Sequence, residues 1–168
     1  TFDSVCMAAN ELAETYTNAK VVPVDSLCAT GGMGLLLECA IRNQKNGMTI
    51  EENAKWLNEN KGKMTLWFMA DDLMYLKRGG RIPATTAIIG SALNIKPILE
   101  VDAEGKLITI EKKRGPKMGL KALESKYKKQ RDDSDGKRVY IVHGECEEYA
   151  DEVENMIKKE NPNADVTK

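Results

Sequence analysis

Helical and strand-like hydrophobic patterns alternate along this chain, and that alternation restricts its fold more than any other feature. Val5, Ala8, Ala9, Leu12, Ala13 and Tyr16 recur at helical spacing and define one helix face, which ends near Asn18. Val21, Val22 and Val24, with Pro23 among them, follow as a short apolar run, read as a strand over residues 20–24 closed by Asp25 and Ser26. Thr30-Gly31-Gly32-Met33-Gly34 then opens a second helix with Met33, Leu36, Leu37, Ala40 and Ile41 on one side and Asn46-Gly47 at its end. Helix, strand, loop and helix in succession is the grammar of an α/β protein.

The pattern continues. Thr49 and Glu52 make the Ser/Thr-x-x-Glu capping box of a third helix running through Ile50, Ala54 and Leu57 toward Asn60. Residues 64–70, with Trp67 and Phe68, are strand-like, and Asp71-Asp72 are placed to cap a short helix over residues 73–77 that stops at Gly79-Gly80. Residues 81–93 read as a loop and a small apolar helix. Ile98, Leu99 and Val101, then Leu107, Ile108 and Ile110, predict two strands of a hairpin turning over residues 102–105. After Arg114-Gly115-Pro116 a basic helix runs to about Gln130, a strand covers residues 138–142, and Tyr149, Ala150, Val153, Met156 and Ile157 mark a last helix before Pro162. No repeat is visible.

Composition removes several classes of function. The chain has 168 residues, 42% hydrophobic and 30% charged, which excludes a disordered or collagen-like protein. Basic and acidic side chains number 25 and 26, a net charge of −1, so no global field draws it to nucleic acid or a membrane. No stretch approaches the roughly 20 apolar residues of a membrane helix. Thr1-Phe2-Asp3-Ser4 shows no basic segment of a signal peptide. Cys6, Cys28, Cys39 and Cys146 form no Cys-x-x-Cys pair and there is a single histidine, His143, so neither a zinc site nor a disulfide framework is expected. The cysteines read as reduced, mostly core residues of a cytoplasmic protein.

Three segments have local chemistry of interest. The strand end Asp25-Ser26 feeding a glycine-rich helix start is where α/β proteins offer backbone N–H groups to anions. Neither G-x-G-x-x-G nor G-x-x-x-x-G-K-S/T is present, which favours close packing of the helix over a nucleotide loop. Asp71-Asp72 are more simply helix caps than metal ligands. Arg81, following two glycines, is either a solvated arginine or a guanidinium fork set for carboxylate or phosphate. The third is the run Lys112, Lys113, Arg114, Lys117, Lys121, Lys126, Lys128, Lys129 and Arg131, which faces only Glu124 within its own span and lacks the aromatics of a stacking platform. It reads first as a solvated helix face, and second as a surface for an acidic protein. His143 has no partner in sequence that would make it a catalytic base, so catalysis by this chain alone is weakly motivated.

Asp71-Asp72-Leu73-Met74-Tyr75-Leu76-Lys77-Arg78-Gly79-Gly80-Arg81-Ile82, then Leu93-Asn94-Ile95-Lys96-Pro97-Ile98-Leu99, then Lys113-Arg114-Gly115, closely resemble the DegV family of bacterial fatty-acid-binding proteins. Val24-Asp25-Ser26 with the glycine-rich helix start, and the turn over residues 102–105, fit the same pattern. The resemblance implies a two-lobed α/β fold, the first lobe having parallel strands with helices on both faces, the second a mixed sheet with an antiparallel hairpin and packed helices. It divides the chain into residues 1–62 and 63–168. It also implies a non-catalytic carrier that buries one long-chain fatty acid and presents the carboxylate to a separate ATP-dependent fatty acid kinase subunit, the acyl phosphate passing toward phospholipid synthesis.

By match to the family's motifs, Arg81 and Arg114 are the expected kinase-docking residues, with no cofactor or metal, no nucleic acid and no stable membrane insertion. The expected ligand-lining residues are Thr1, Phe2, Ser26, Leu27, Cys28, Ala29, Met33, Ile82, Ile88, Ile89 and Leu93, each of which is equally at home in an ordinary core. Eight methionines would give a tunnel adaptable walls. The family's carboxylate-holding loops, a Thr-Ser-Gln-Pro type, a Ser-Gly before a Thr-Tyr/Phe pair and a His-containing Gly-Pro-Gly, have no counterpart here. Thr1-Phe2 resembles the pair directly after that Ser-Gly, which implies a chain lacking the start of lobe one and the last strands of lobe two. Two other functions compete: a sugar or ketone kinase subunit of related α/β architecture, and an interaction module whose basic helix binds an acidic protein or RNA.

Overall fold

The computed structural model describes residues 1–83, 94–131 and 138–168. The chain divides into two compact units, Thr1–Met64 and Thr65–Lys168.

The first unit contains three helices, α1 (Phe2–Thr15), α2 (Thr30–Lys45) and α3 (Ile50–Asn60), and a short 3₁₀ turn, Lys61–Lys63. Its buried apolar side chains are Ala9, Leu36, Ala54 and Leu57. One polar side chain is buried with them: Asn43 donates from Nδ2 to Asn53 Oδ1 at 3.0 Å, and Asn53 donates in turn to the Ala40 carbonyl at 2.8 Å. This pairing supplies partners to amides that burial would otherwise leave unsatisfied, and it ties α2 to α3. The capping box forms as expected. Thr49 Oγ1 accepts the Glu52 N–H at 3.2 Å and Glu52 Oε2 accepts the Thr49 N–H at 2.8 Å. The expected strand over residues 20–24 does not form, and no residue of this unit lies in a strand. A strand exists through its ladder, and Val21, Val22 and Val24 meet no strand within the unit to pair with. The parallel strands expected of the first lobe are therefore corrected to an all-helical arrangement.

The second unit is built on an antiparallel sheet ordered β1 (Trp67–Met69), β2 (Ile95–Val101) and β3 (Leu107–Arg114). Between the last two, the Asp102 carboxylate accepts the N–H groups of Glu104 and Lys106, both at 2.9 Å, and Gly105 supplies a φ of 76°. Successive strand residues point to opposite faces, which explains how Ile98 and Leu99 are both fully buried. Leu99 pairs with Phe68 and packs with Leu73 and Ile82 around helix α4 (Leu73–Arg78). Ile98 pairs with Met69, whose sulfur fills the space beside Gly119 on helix α5 (Pro116–Gln130). The sheet thus lies between α4 and α5, and each of the two buried side chains contributes about 1.5–3 kcal/mol.

Helix α6 (Glu147–Glu160) packs on α5, and β4 (Arg138–Tyr140) pairs in parallel with β5 (Asp165–Thr167). The single mixed sheet expected here is therefore a three-stranded antiparallel sheet and a separate two-stranded parallel pair. The expected strand over residues 138–142 stops at Tyr140, where the partner ends. The small helix expected within residues 81–93 lies outside the described residues beyond Pro83. Among the described residues no helix is long and apolar enough to cross a membrane.

Candidate functional site

In the first unit the expected site residues gather at the entry to α2. The Asp25 Oδ1 accepts the Leu27 N–H at 3.0 Å, and Ser26 Oγ both accepts the Cys28 N–H and reaches the Cys28 carbonyl, each at 3.2 Å. Lys61 Nζ donates to the Asp25 carbonyl at 2.7 Å and to Asn58 Oδ1 at 3.1 Å, so the turn is held from α3's end as well as from within. The backbone is strained here. Leu27 and Thr30, neither of them glycine, have φ of 51° and 47°. Gly31 and Gly32, the first residues after that bend, are buried.

Leu27 and Cys28 are half-buried, Ala29 is exposed, and Met33 is exposed at the start of α2. Met33 is followed on the same face by Leu37 and Ile41, also exposed, at four-residue spacing. The result is an apolar stripe about 12 Å long, beginning beside the polar Ser26 turn. Sequence reading placed Leu37 and Ile41 on the helix face without assigning them to a site; their spacing from Met33 was the available signal. Thr1 lies at the N-cap of α1, its carbonyl accepting the Val5 N–H at 3.2 Å, and Phe2 is the first helical residue. Neither is joined to the Ser26 turn by a hydrogen bond.

Burial, and next the Asp25 carboxylate, push the Cys28 thiol above its ordinary range. The thiol is accordingly a neutral, poor nucleophile. All four cysteines are half-buried rather than core residues, and none is in a disulfide. His143 is exposed, and its Nδ1 accepts the Cys146 N–H at 3.3 Å, so that nitrogen is committed to the entry of α6.

The second unit holds both expected docking arginines. Asp72 caps α4, its Oδ1 accepting the Met74 N–H at 2.7 Å. At the other end Gly80, with φ of 69°, lets its own N–H reach the Lys77 carbonyl and the Arg81 N–H reach the Leu76 carbonyl, both at 2.8 Å. These are the paired bonds of a Schellman motif. They explain Gly80 and fix the backbone of Arg81, whose exposed guanidinium also bonds the Gly79 carbonyl. Arg114 ends β3 opposite Ile95, and the following Gly115, with φ of 77°, donates to the Asn94 carbonyl at 2.8 Å. Lys96, one residue beyond Ile95, binds Asp71 at 2.6 Å and so anchors the entry to α4. The Arg114 turn is thus tied to Asn94 just before β2, and the entry to α4, at the opposite end of the helix from Arg81, to Lys96. Asp71 and Asp72 have structural partners, and among the described residues no group of three or more potential metal-ligating side chains is gathered.

Ile82 is buried with Leu73 and Leu99 in the core of this unit. Ile88, Ile89 and Leu93 lie outside the described residues. The basic run is less free than its sequence suggests: Glu111 binds Lys113 at 2.7 Å and Lys126 at 3.0 Å, while Lys128 binds Glu124 at 3.2 Å and Glu160 at 2.9 Å. A groove of about 410 Å³ beside the end of α2 is lined by Glu52, Lys55, Trp56 and Glu59 among others and includes no expected site residue. Its charged walls do not suit an acyl chain.

A family model described as "Uncharacterised protein, DegV family" matches residues 1–168. A DegV domain-containing protein of Clostridium perfringens is 39% identical over 166 residues, 99% of this chain and 57% of its own length. A DegV family protein from Eubacterium eligens loaded with heptadecanoic acid superposes with a TM-score of 0.91 at 28% identity, covering 99% of this chain and 60% of that one. The Streptococcus pneumoniae Fatty Acid Kinase (Fak) B3 protein loaded with linoleic acid has the same fold, with a TM-score of 0.90 at 24% identity over 99% of this chain and 58% of that one. The chain thus spans rather more than half the length of the proteins it matches.

Proposed function

The chain belongs to the DegV family, and from that premise we propose that it takes part in binding one long-chain fatty acid as a carrier rather than as a catalyst. The observation that supports this most strongly is the likeness, over nearly all of this chain, to the Eubacterium eligens protein loaded with heptadecanoic acid. The local chemistry agrees. An exposed apolar stripe, Met33, Leu37 and Ile41, starts at a turn bearing the Ser26 hydroxyl, and an acyl chain needs an extended apolar wall with polar groups at one end only. Thr1, Phe2, Leu27, Cys28 and Ala29 complete the proposed lining in the first unit. Ile82 enters the proposal as the buried residue beneath the Arg81 turn.

The finer part of the proposal is a handover. The bound carboxylate is phosphorylated by a separate ATP-dependent kinase subunit, and Arg81 and Arg114 form the surface on which that subunit docks. A cytoplasmic location follows from that partnership. Arg81 is suited to the role because its turn is rigid, so little freedom is lost when the guanidinium engages a carboxylate.

Titration of the complete, delipidated protein with heptadecanoic acid in a calorimeter tests the first part. One acid per protein is expected. Leu37→Asp is expected to weaken binding about tenfold or more, the worth of one buried leucine contact, while changing stability by only about 0.5 kcal/mol, as for other exposed positions. A correctly folded protein that releases no heat with the acid contradicts the carrier reading.

A further inference from the structure

The most exposed large apolar side chain among the described residues is Tyr75, at 72%. It stands on α4 one turn before Arg78, whose guanidinium lies over its ring at 5.7 Å, and Met74 beside it is also exposed. A second aromatic pair of this kind, Tyr127 with Arg131, is integrated into the structure: Asn161 bonds the Tyr127 hydroxyl at 3.2 Å, and Arg131 donates to the Glu160 carbonyl at 3.2 Å. Among the described residues Tyr75 and Arg78 have no such ties. Among the described residues no carboxylate pairs with Lys77, Arg78 or Arg81, three cations within five positions, whereas Lys96, Lys113, Lys126 and Lys128 all have acidic partners.

An exposed aromatic ring, stacked beforehand with an arginine and set among unneutralised cations, has the composition of an interface hot spot. The stacking restricts both side chains before a partner arrives, which lowers the entropy lost on association. The missing charges define the partner's chemistry as carboxylate-rich.

We propose that the Tyr75–Arg78 pair on α4 is the anchor of the docking surface, received by an apolar pocket rimmed with carboxylates on the kinase subunit. This inference rests on the carrier reading, and it extends the surface from Arg81 along the exposed side of α4. Arg81 and Arg114 then act beside a central aromatic contact rather than alone.

The test measures the affinity of the complete, fatty-acid-loaded protein for the purified kinase subunit at two salt concentrations, with fatty-acid titration and thermal melting as controls. Tyr75→Ala is expected to weaken the complex about tenfold or more, and Tyr75→Phe by no more than about threefold, since the ring remains. Arg78→Glu is expected to weaken the complex and reduce its salt dependence, and Lys129→Glu, on the exposed end of α5, to leave affinity unchanged. Melting temperature and fatty-acid binding stay the same throughout. If the unaltered loaded protein does not bind the kinase subunit, the handover fails and this inference falls with it. If it binds and Tyr75→Ala binds equally well, the inference alone is overturned. It is likewise overturned if Tyr75→Ala changes only self-association or binding to phosphatidylglycerol vesicles.

Discussion

Single residues show how local backbone demands shape the candidate residues of each unit. Gly80 is required by the Schellman turn that presents Arg81, and Gly80→Ala is expected to cost about 1 kcal/mol, because a left-handed φ places Cβ against the backbone. Denaturant unfolding measures that loss, and affinity for the kinase subunit should fall along with it. Cys28 makes a prediction of a different kind. Its raised thiol pKa leaves little thiolate at neutral pH, so iodoacetamide should modify it more slowly than a solvent-exposed model thiol, with the rate still rising above the ordinary cysteine range. Fast labelling at neutral pH would contradict the burial and the Asp25 contact. Thr109 Oγ1 is buried without a partner. Removing an unsatisfied hydroxyl while keeping the shape should help, so Thr109→Val is expected to raise stability by about 1 kcal/mol.

Secondary elements explain what was and was not legible in the sequence. Helices written in periodic apolar residues with local caps were readable: α3 announces itself through Thr49 and Glu52, and α4 through Asp72 and the two glycines. The hairpin of β2 and β3 was readable for the same reason, since its turn chemistry is contained within Asp102 to Lys106. Strands that depend on a distant partner were legible only in part: β1 and β4 fall within the expected runs 64–70 and 138–142, but two other segments did not follow their composition. Val21, Val22 and Val24 have strand composition but no ladder, whereas β5 has a single apolar residue, Val166, and forms because β4 is beside it. At the candidate site, the arginine turns were legible from their glycines. The stripe beyond Met33 was not, because helical spacing alone does not distinguish a covered face from an open one.

Between β3 and α5, Glu111 is held below the usual glutamate range first by its bond from Lys113 and then by that from Lys126. A carboxylate depressed in the folded state adds stability above the unfolded glutamate value, and that contribution disappears as pH falls through the lower, folded value. Unfolding followed across the acidic range should therefore show a loss that Glu111→Gln flattens. Gly119→Ala, which drives a methyl into the space of the Met69 sulfur, should cost about 1–3 kcal/mol through overpacking between α5 and the sheet.

At the scale of the whole molecule, the proposal assigns an apolar face of the first unit to the acyl chain and a cationic surface of the second unit to the kinase subunit, with no chemical step performed by either. That division of labour accounts for a neutral Cys28 thiol, a histidine used as a hydrogen-bond acceptor, and exposed arginines on rigid turns. The most direct measurement is denaturing extraction and mass spectrometry of the complete protein purified gently from bacteria. The account predicts a long-chain fatty acid at close to one per protein. Folded protein that repeatedly yields no fatty acid, under conditions where added acid is recovered in full, would contradict it.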